Sequence, residues 1–68
     1  MSKPLVFLGN YNEFAKAYDK GQYPHQRFGQ AFVNTLLPQD FADPILFYEE
    51  DRRKAERRII DIYLWLPG

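Results

Sequence analysis

The sequence predicts an all-α fold: a small three-helix domain with an extra short helical turn and an extended N-terminal arm. Three observations carry that prediction. Apolar residues recur at helical spacing in separate stretches, namely Phe14, Ala17 and Tyr18, then Phe28, Ala31, Phe32, Thr35 and Leu36, then Ala55, Ile59, Ile62, Tyr63 and Leu66. Boundary residues, Asn10, Gly21, Pro24, Pro38 and Pro44, stand between and around those stretches. The run from Arg52 to Leu66 contains no Gly or Pro, so nothing local interrupts a last helix.

Taken in order, Lys3-Pro4-Leu5-Val6-Phe7-Leu8-Gly9 reads as the arm, because Pro4 lacks a ladder donor and Val and Phe favour extended backbone. Asn10 followed by Glu13 resembles a capping box, which gives a first helix from about Tyr11 to Lys20, stopped by Gly21. Pro24 at a first helical position opens the second helix, which Pro38 ends near Leu37. Gly29 lies inside that helix, where it costs about 1 kcal/mol against alanine. Its presence predicts that another backbone approaches closely there. Asp43-Pro44 is a cap and first-position pair for a helical turn carrying Ile45, Leu46, Phe47 and Tyr48, read as a plug buried on several sides. Glu49-Glu50-Asp51 place negative charge at the start of the helix from Arg52 to Leu66, and Pro67-Gly68 close the chain. Phe28, Phe32, Leu46, Phe47 and Ile59 are the expected core.

Residues 1–68 form one domain, of a size at which the core is small. With no cysteine and one histidine, disulfides, thiolate metal sites and imidazole-rich metal sites are excluded. No metal or other cofactor is expected. Six Phe, five Tyr and one Trp make an aromatic core the expectation. Nine basic and nine acidic residues cancel, which removes a whole-chain electrostatic case for nucleic acid or anionic membrane. The apolar run Leu5-Val6-Phe7-Leu8 is too short for a signal peptide or a membrane span, so the expectation is a cytoplasmic protein.

The residues Tyr23-Pro24, Arg27, Gly29-Gln30 and Asn34, followed by Asp43-Pro44, Leu46-Phe47-Tyr48 and Glu50-Asp51, form a signature over about half the chain. It resembles a recurrent class of very short, uncharacterised bacterial and phage proteins with the pattern YPxxRxGQxxxN and then DPxLFYxED. The resemblance implies a small helical protein and a bacterial or phage setting, with no activity attached.

Two groups of side chains are candidate partner-binding residues. Arg27, Gln30 and Asn34, spaced by three and four, share a helical stripe that could read a carboxylate, a phosphate or a peptide backbone. The structural reading is that they tie the helix to the Asp43 loop or to Glu50 and Asp51. On the last helix, Ile60 and Leu64 fall opposite the apolar face beside Arg53 and Arg57, a strip fit for an interface. Arg52, Arg53, Lys54, Arg57 and Arg58, with Tyr63 and Trp65 near enough to stack on bases, raise a nucleic-acid alternative. Five acids offset these five bases, and Glu49 to Arg53 and Glu50 to Lys54 are favourable helical pairs, so a solvated, self-paired face is the expectation.

No catalytic set is visible. His25, placed in the first turn of its helix, has no Ser, Cys or carboxylate nearby in sequence, and Ser2 and Thr35 lie in the arm and the apolar face. Glu49, Glu50 and Asp51 lack the alternating ligands and glycine of a calcium loop. The expected function is therefore a protein-protein interaction module, with a second copy of itself or a host protein as partner. A phage setting would make a host factor or a defence complex, a CRISPR-type effector included, a fitting target by analogy. The alternative is a nucleic-acid-binding or regulatory module using the Arg52 to Arg58 helix. An enzyme is not expected.

Overall fold

The computed structural model describes residues 4–65, the Trp65 side chain excepted. Expectations for Ser2 and Lys3 in the arm, for Leu66 on the apolar face, for Pro67-Gly68 as the close and for Trp65 as a stacking side chain lie outside the described residues. The fold is all-α in substance. Helices α1 (Leu8–Asp19), α2 (Phe28–Leu36), α3 (Pro44–Phe47) and α4 (Arg52–Ile62) follow one another, α3 being the short extra turn. Strands β1 (Val6–Phe7) and β2 (Leu64–Trp65) form a two-residue parallel clasp in which Val6 faces Leu64 and Phe7 faces Trp65.

The clasp explains both departures at the ends of the helices. Extended pairing holds the chain until Phe7, which caps α1 by backbone alone, so the helix starts at Leu8 and takes in Gly9 and Asn10. The expected Asn10–Glu13 capping box is not the start of this helix. At the other end α4 stops at Ile62, because the Tyr63 carbonyl accepts from the Val6 N–H at 3.0 Å and Leu64 turns into β2. A helix continuing to Leu66 would forgo that pairing.

Helix α1 ends as expected at glycine. Gly21 adopts φ +83°, and its N–H and that of Gln22 return to the carbonyls of Tyr18 and Ala17 at 3.0 and 3.1 Å. This is a Schellman closure. The second helix does not open at Pro24. His25 has φ +68°, a left-handed conformation that breaks the helical path, and the Tyr18 hydroxyl donates to the Gln26 carbonyl at 2.9 Å to hold the turn. The helix begins after Arg27, whose N–H is accepted by the Gln30 side chain at 3.4 Å. His25 is therefore an exposed turn residue.

The core is aromatic, as composition predicts. Phe14, Phe28 and Phe32 are buried with ring centroids 5.2 Å (Phe14–Phe28) and 5.8 Å (Phe14–Phe32) apart in edge-to-face pairs, and Tyr18 meets Phe28 at 5.1 Å. Such pairs add about 0.5–1.5 kcal/mol beyond area burial. Val6, Tyr11, Ala31 and Leu37 join these rings in the core, with Leu46 from α3, Ala55 and Ile59 from α4, and Tyr63 just after α4. Two residues depart from expectation: Thr35 is exposed at the edge of the α2 face, and Phe47 is only half-buried.

Gly29 meets the close approach its position predicts. A Cβ there would stand 2.1 Å from the Leu46 carbonyl oxygen, a backbone atom of α3 that cannot swing aside. Gly29→Ala is expected to destabilise by about 1–3 kcal/mol, the usual cost of overpacking, despite the better helix propensity of alanine. A urea midpoint equal to or above the parent's would contradict it.

Candidate functional site

Asp43 joins α3 to α4 and its C-cap. It caps α3, accepting the Leu46 N–H at 3.1 Å, which the Asp43-Pro44 signal predicts. Its carboxylate also receives the Arg58 Nε of α4 at 2.9 Å and the Tyr63 hydroxyl at 2.5 Å. Only 5% exposed, it is the one buried charged residue among those described. Burial pushes its carboxyl up, but the hydrogen bonds from Arg58, Tyr63 and Leu46, with the Arg58 charge, outweigh this and hold it below the ordinary aspartate value. Burial and then the Asp43 contact push the Tyr63 hydroxyl up. No buried side-chain polar atom among the described residues lacks a partner, and this cluster ties α3 to α4. The Asp43–Arg58–Tyr63 cluster was not legible in advance. A signal existed, since a buried Tyr hydroxyl needs a partner.

By locking α3 in place, this cluster determines what α3 shows to solvent. Leu46 points inward and is fully buried, whereas Ile45 is 64% and Tyr48 67% exposed. The expected plug, buried on several sides, is therefore buried on one. A single helical turn has one inward position, and Leu46 takes it. Beside Tyr48 runs a largely apolar groove of about 290 Å³ lined by Val33, Phe41, Ala42, Asp43, Pro44 and Phe47. A second, of about 260 Å³, lies across Pro44 beside Ile45.

The predicted binding residues are scattered. Arg27 is the cap of α2, donating from Nε to the Phe47 carbonyl at 3.4 Å, with its guanidinium carbon 5.7 Å from the Tyr48 ring centroid. Gln30 accepts the Arg27 N–H, and Asn34 donates to the Gln26 side chain at 3.4 Å. The stripe thus contacts α3 and the preceding turn instead of Asp43, Glu50 or Asp51. Arg53 and Arg57 are exposed on α4, and Ile60 beside them is 48% exposed. Leu64 is not on that strip: it lies in β2, half-buried against the core. Ile60→Lys is accordingly expected to change stability by no more than about 0.5 kcal/mol, and Leu64→Lys to cost several times more. Equal thermal midpoints for the two variants would count against this separation.

The basic helix is paired only in part within itself, and in different pairs from those expected: among the described residues Arg53 and Lys54 have no ion pair, and Arg58 reaches Asp43 outside the helix. Asp51 is its cap, accepting from the N–H groups of Arg53 and Lys54, so Glu49 and Glu50 precede the helix and cannot pair at helical spacing. Arg52 binds Asp19 at 2.5 Å and Glu56 at 3.1 Å, its guanidinium 4.5 Å from the Phe28 ring centroid. Arg57 meets Asp61 at 3.6 Å. Among the described residues, no helix is long and apolar enough to cross a membrane, and no group of three or more acidic or histidine side chains is placed to hold a metal ion.

The structure defines a small all-α domain closed by a parallel strand clasp. No family model matches the chain, and comparison with curated proteins and with solved structures yields no match.

Proposed function

We propose that this chain is a protein-binding module whose contact surface is centred on α3. The observation that supports it is the outward pair Ile45 and Tyr48, two large exposed side chains three residues apart on an anchored turn and its cap. A largely apolar groove lies beside Tyr48, and a second groove, which Asp43 and Arg58 also line, lies beside Ile45. Exposed apolar patches of this kind mark interaction sites, and aromatic and Arg side chains concentrate binding energy there. A bacterial or phage setting, with a cytoplasmic host protein or defence complex as target, belongs to this proposal and rests on the signature resemblance.

The test compares the parent with an Ile45→Lys, Tyr48→Ser double variant as immobilised bait in bacterial lysate. Both should melt alike, because both residues are exposed. A stoichiometric protein held by the parent and lost from the variant is the expected outcome; identical capture by both would refute the reading. Self-association through Ile60 and Leu64 has less support, since Leu64 packs inward. The nucleic-acid reading also has less, because Arg52 and Arg58 are committed to Asp19, Glu56 and Asp43.

A further inference from the structure

We infer that the groove beside Tyr48 takes a partner segment that pairs an apolar side chain with a carboxylate, the carboxylate meeting Arg27. The inference rests on the protein-binding reading and names the chemistry of its partner. Arg52, Arg57 and Arg58 each have a carboxylate within ion-pair reach, whereas among the described residues Arg27 and the exposed Arg53 have none. Of these two it is Arg27 that contacts residues lining a groove. Its contacts are a carbonyl and a ring face: Nε on the Phe47 oxygen and the guanidinium beside Tyr48. Phe47 and Tyr48 also line the groove with Val33, Phe41, Ala42, Asp43 and Pro44. The same two residues therefore hold the cation and form the apolar wall.

A guanidinium has five N–H donors, and this one spends a single one on protein. Half-buried and already oriented, it loses little freedom when it binds an anion. Asp43, the charged residue in the groove's own wall, is already paired with Arg58. The charge left to a partner is therefore the Arg27 guanidinium at the Phe47 and Tyr48 edge, which calls for an acidic group next to an apolar one. A carboxylate fits better than a phosphate, because phosphate recognition draws on clusters of arginines and one stands here. The geometry suits a short peptide segment with Leu, Ile or Phe within a residue or two of Asp or Glu.

A random dodecapeptide library displayed on phage, panned against the full chain, supplies the probe. Recovered peptides should carry that acidic-apolar pattern. Arg27→Gln and Tyr48→Ser, checked for unchanged melting, should each weaken a recovered peptide by roughly tenfold. Exchanging the acid of the peptide for its amide should do the same without touching the protein, which keeps the test sound if Arg27→Gln perturbs the α2 cap. Recovered peptides lacking an acid, affinities indifferent to both Tyr48→Ser and the amide exchange, or a library with no enrichment would overturn the inference. So would a concentration-dependent dimer in which Tyr48 becomes protected, since a second copy would then fill the groove. The Ile45, Tyr48 double variant still decides the broader reading: capture lost there with no acidic preference here leaves protein binding standing and removes only the acidic segment.

Discussion

Phe32→Ala is expected to cost about 3–5 kcal/mol, the usual range for emptying an aromatic core site. Phe32 is fully buried, and its ring meets three others: Tyr11 at 6.2 Å and Phe14 at 5.8 Å on α1, and Tyr63 at 5.9 Å where α4 ends. Truncation therefore opens a cavity at the junction of three elements, and the rings around it cannot all collapse inward. Total stability for such a domain is on the order of 5–15 kcal/mol, so the loss is a large share of it. Thr35→Ala, one turn later on the exposed edge of the same helix, should change stability by no more than about 0.5 kcal/mol. Urea midpoints measure both. A Phe32→Ala midpoint equal to that of the parent would show that α2 buries a different face.

What could be read from the sequence was what local chemistry decides. Asp43-Pro44 announces its helix because cap and first residue are adjacent, and Gly29 announces a close approach because nothing else explains a glycine there. The clasp could not be read, since the residues that end α4 early belong to the opposite end of the chain. Leu64 has no local reason to leave the helix. The left-handed turn at His25 was hidden for a similar reason: the Tyr18 hydroxyl that holds it lies on another helix. The candidate surface was hidden by a run of four apolar residues, which reads as core until the length of α3 is known. Only Leu46 of the four is fully buried. Arg27 was legible as a residue that could read an anion, but its place beside Tyr48 depends on how α2 and α3 pack.

Asp43→Ala is expected to fall in the same range as the loss of Phe32, toward its lower end and by a different route. Removing one partner of a buried ionic contact typically costs about 3–5 kcal/mol, because the remaining groups stay desolvated without a partner. Here the loss also uncaps α3, leaves the Tyr63 hydroxyl without its acceptor and frees Arg58, whose side chain is 31% exposed and recovers some hydration. That recovery places the effect toward the lower end of the range. Asp43→Asn keeps an acceptor for Leu46 or Tyr63 but not the charge, and should lose less. The pH dependence separates the ionic part from the rest. The folded value of Asp43 lies below its unfolded one, so its ionised form contributes fully above the unfolded value of about 4 and loses that contribution as pH falls through the folded value. Tyr63 is raised, so its contribution is present below about pH 10 and is lost only as pH rises through its folded value. The stability gap between parent and Asp43→Asn is therefore expected to stay constant through neutral pH and to narrow below about pH 4. Urea unfolding followed by circular dichroism across that range measures it. A gap that narrows between pH 6 and 8, where no group of this cluster titrates, would place the linkage elsewhere.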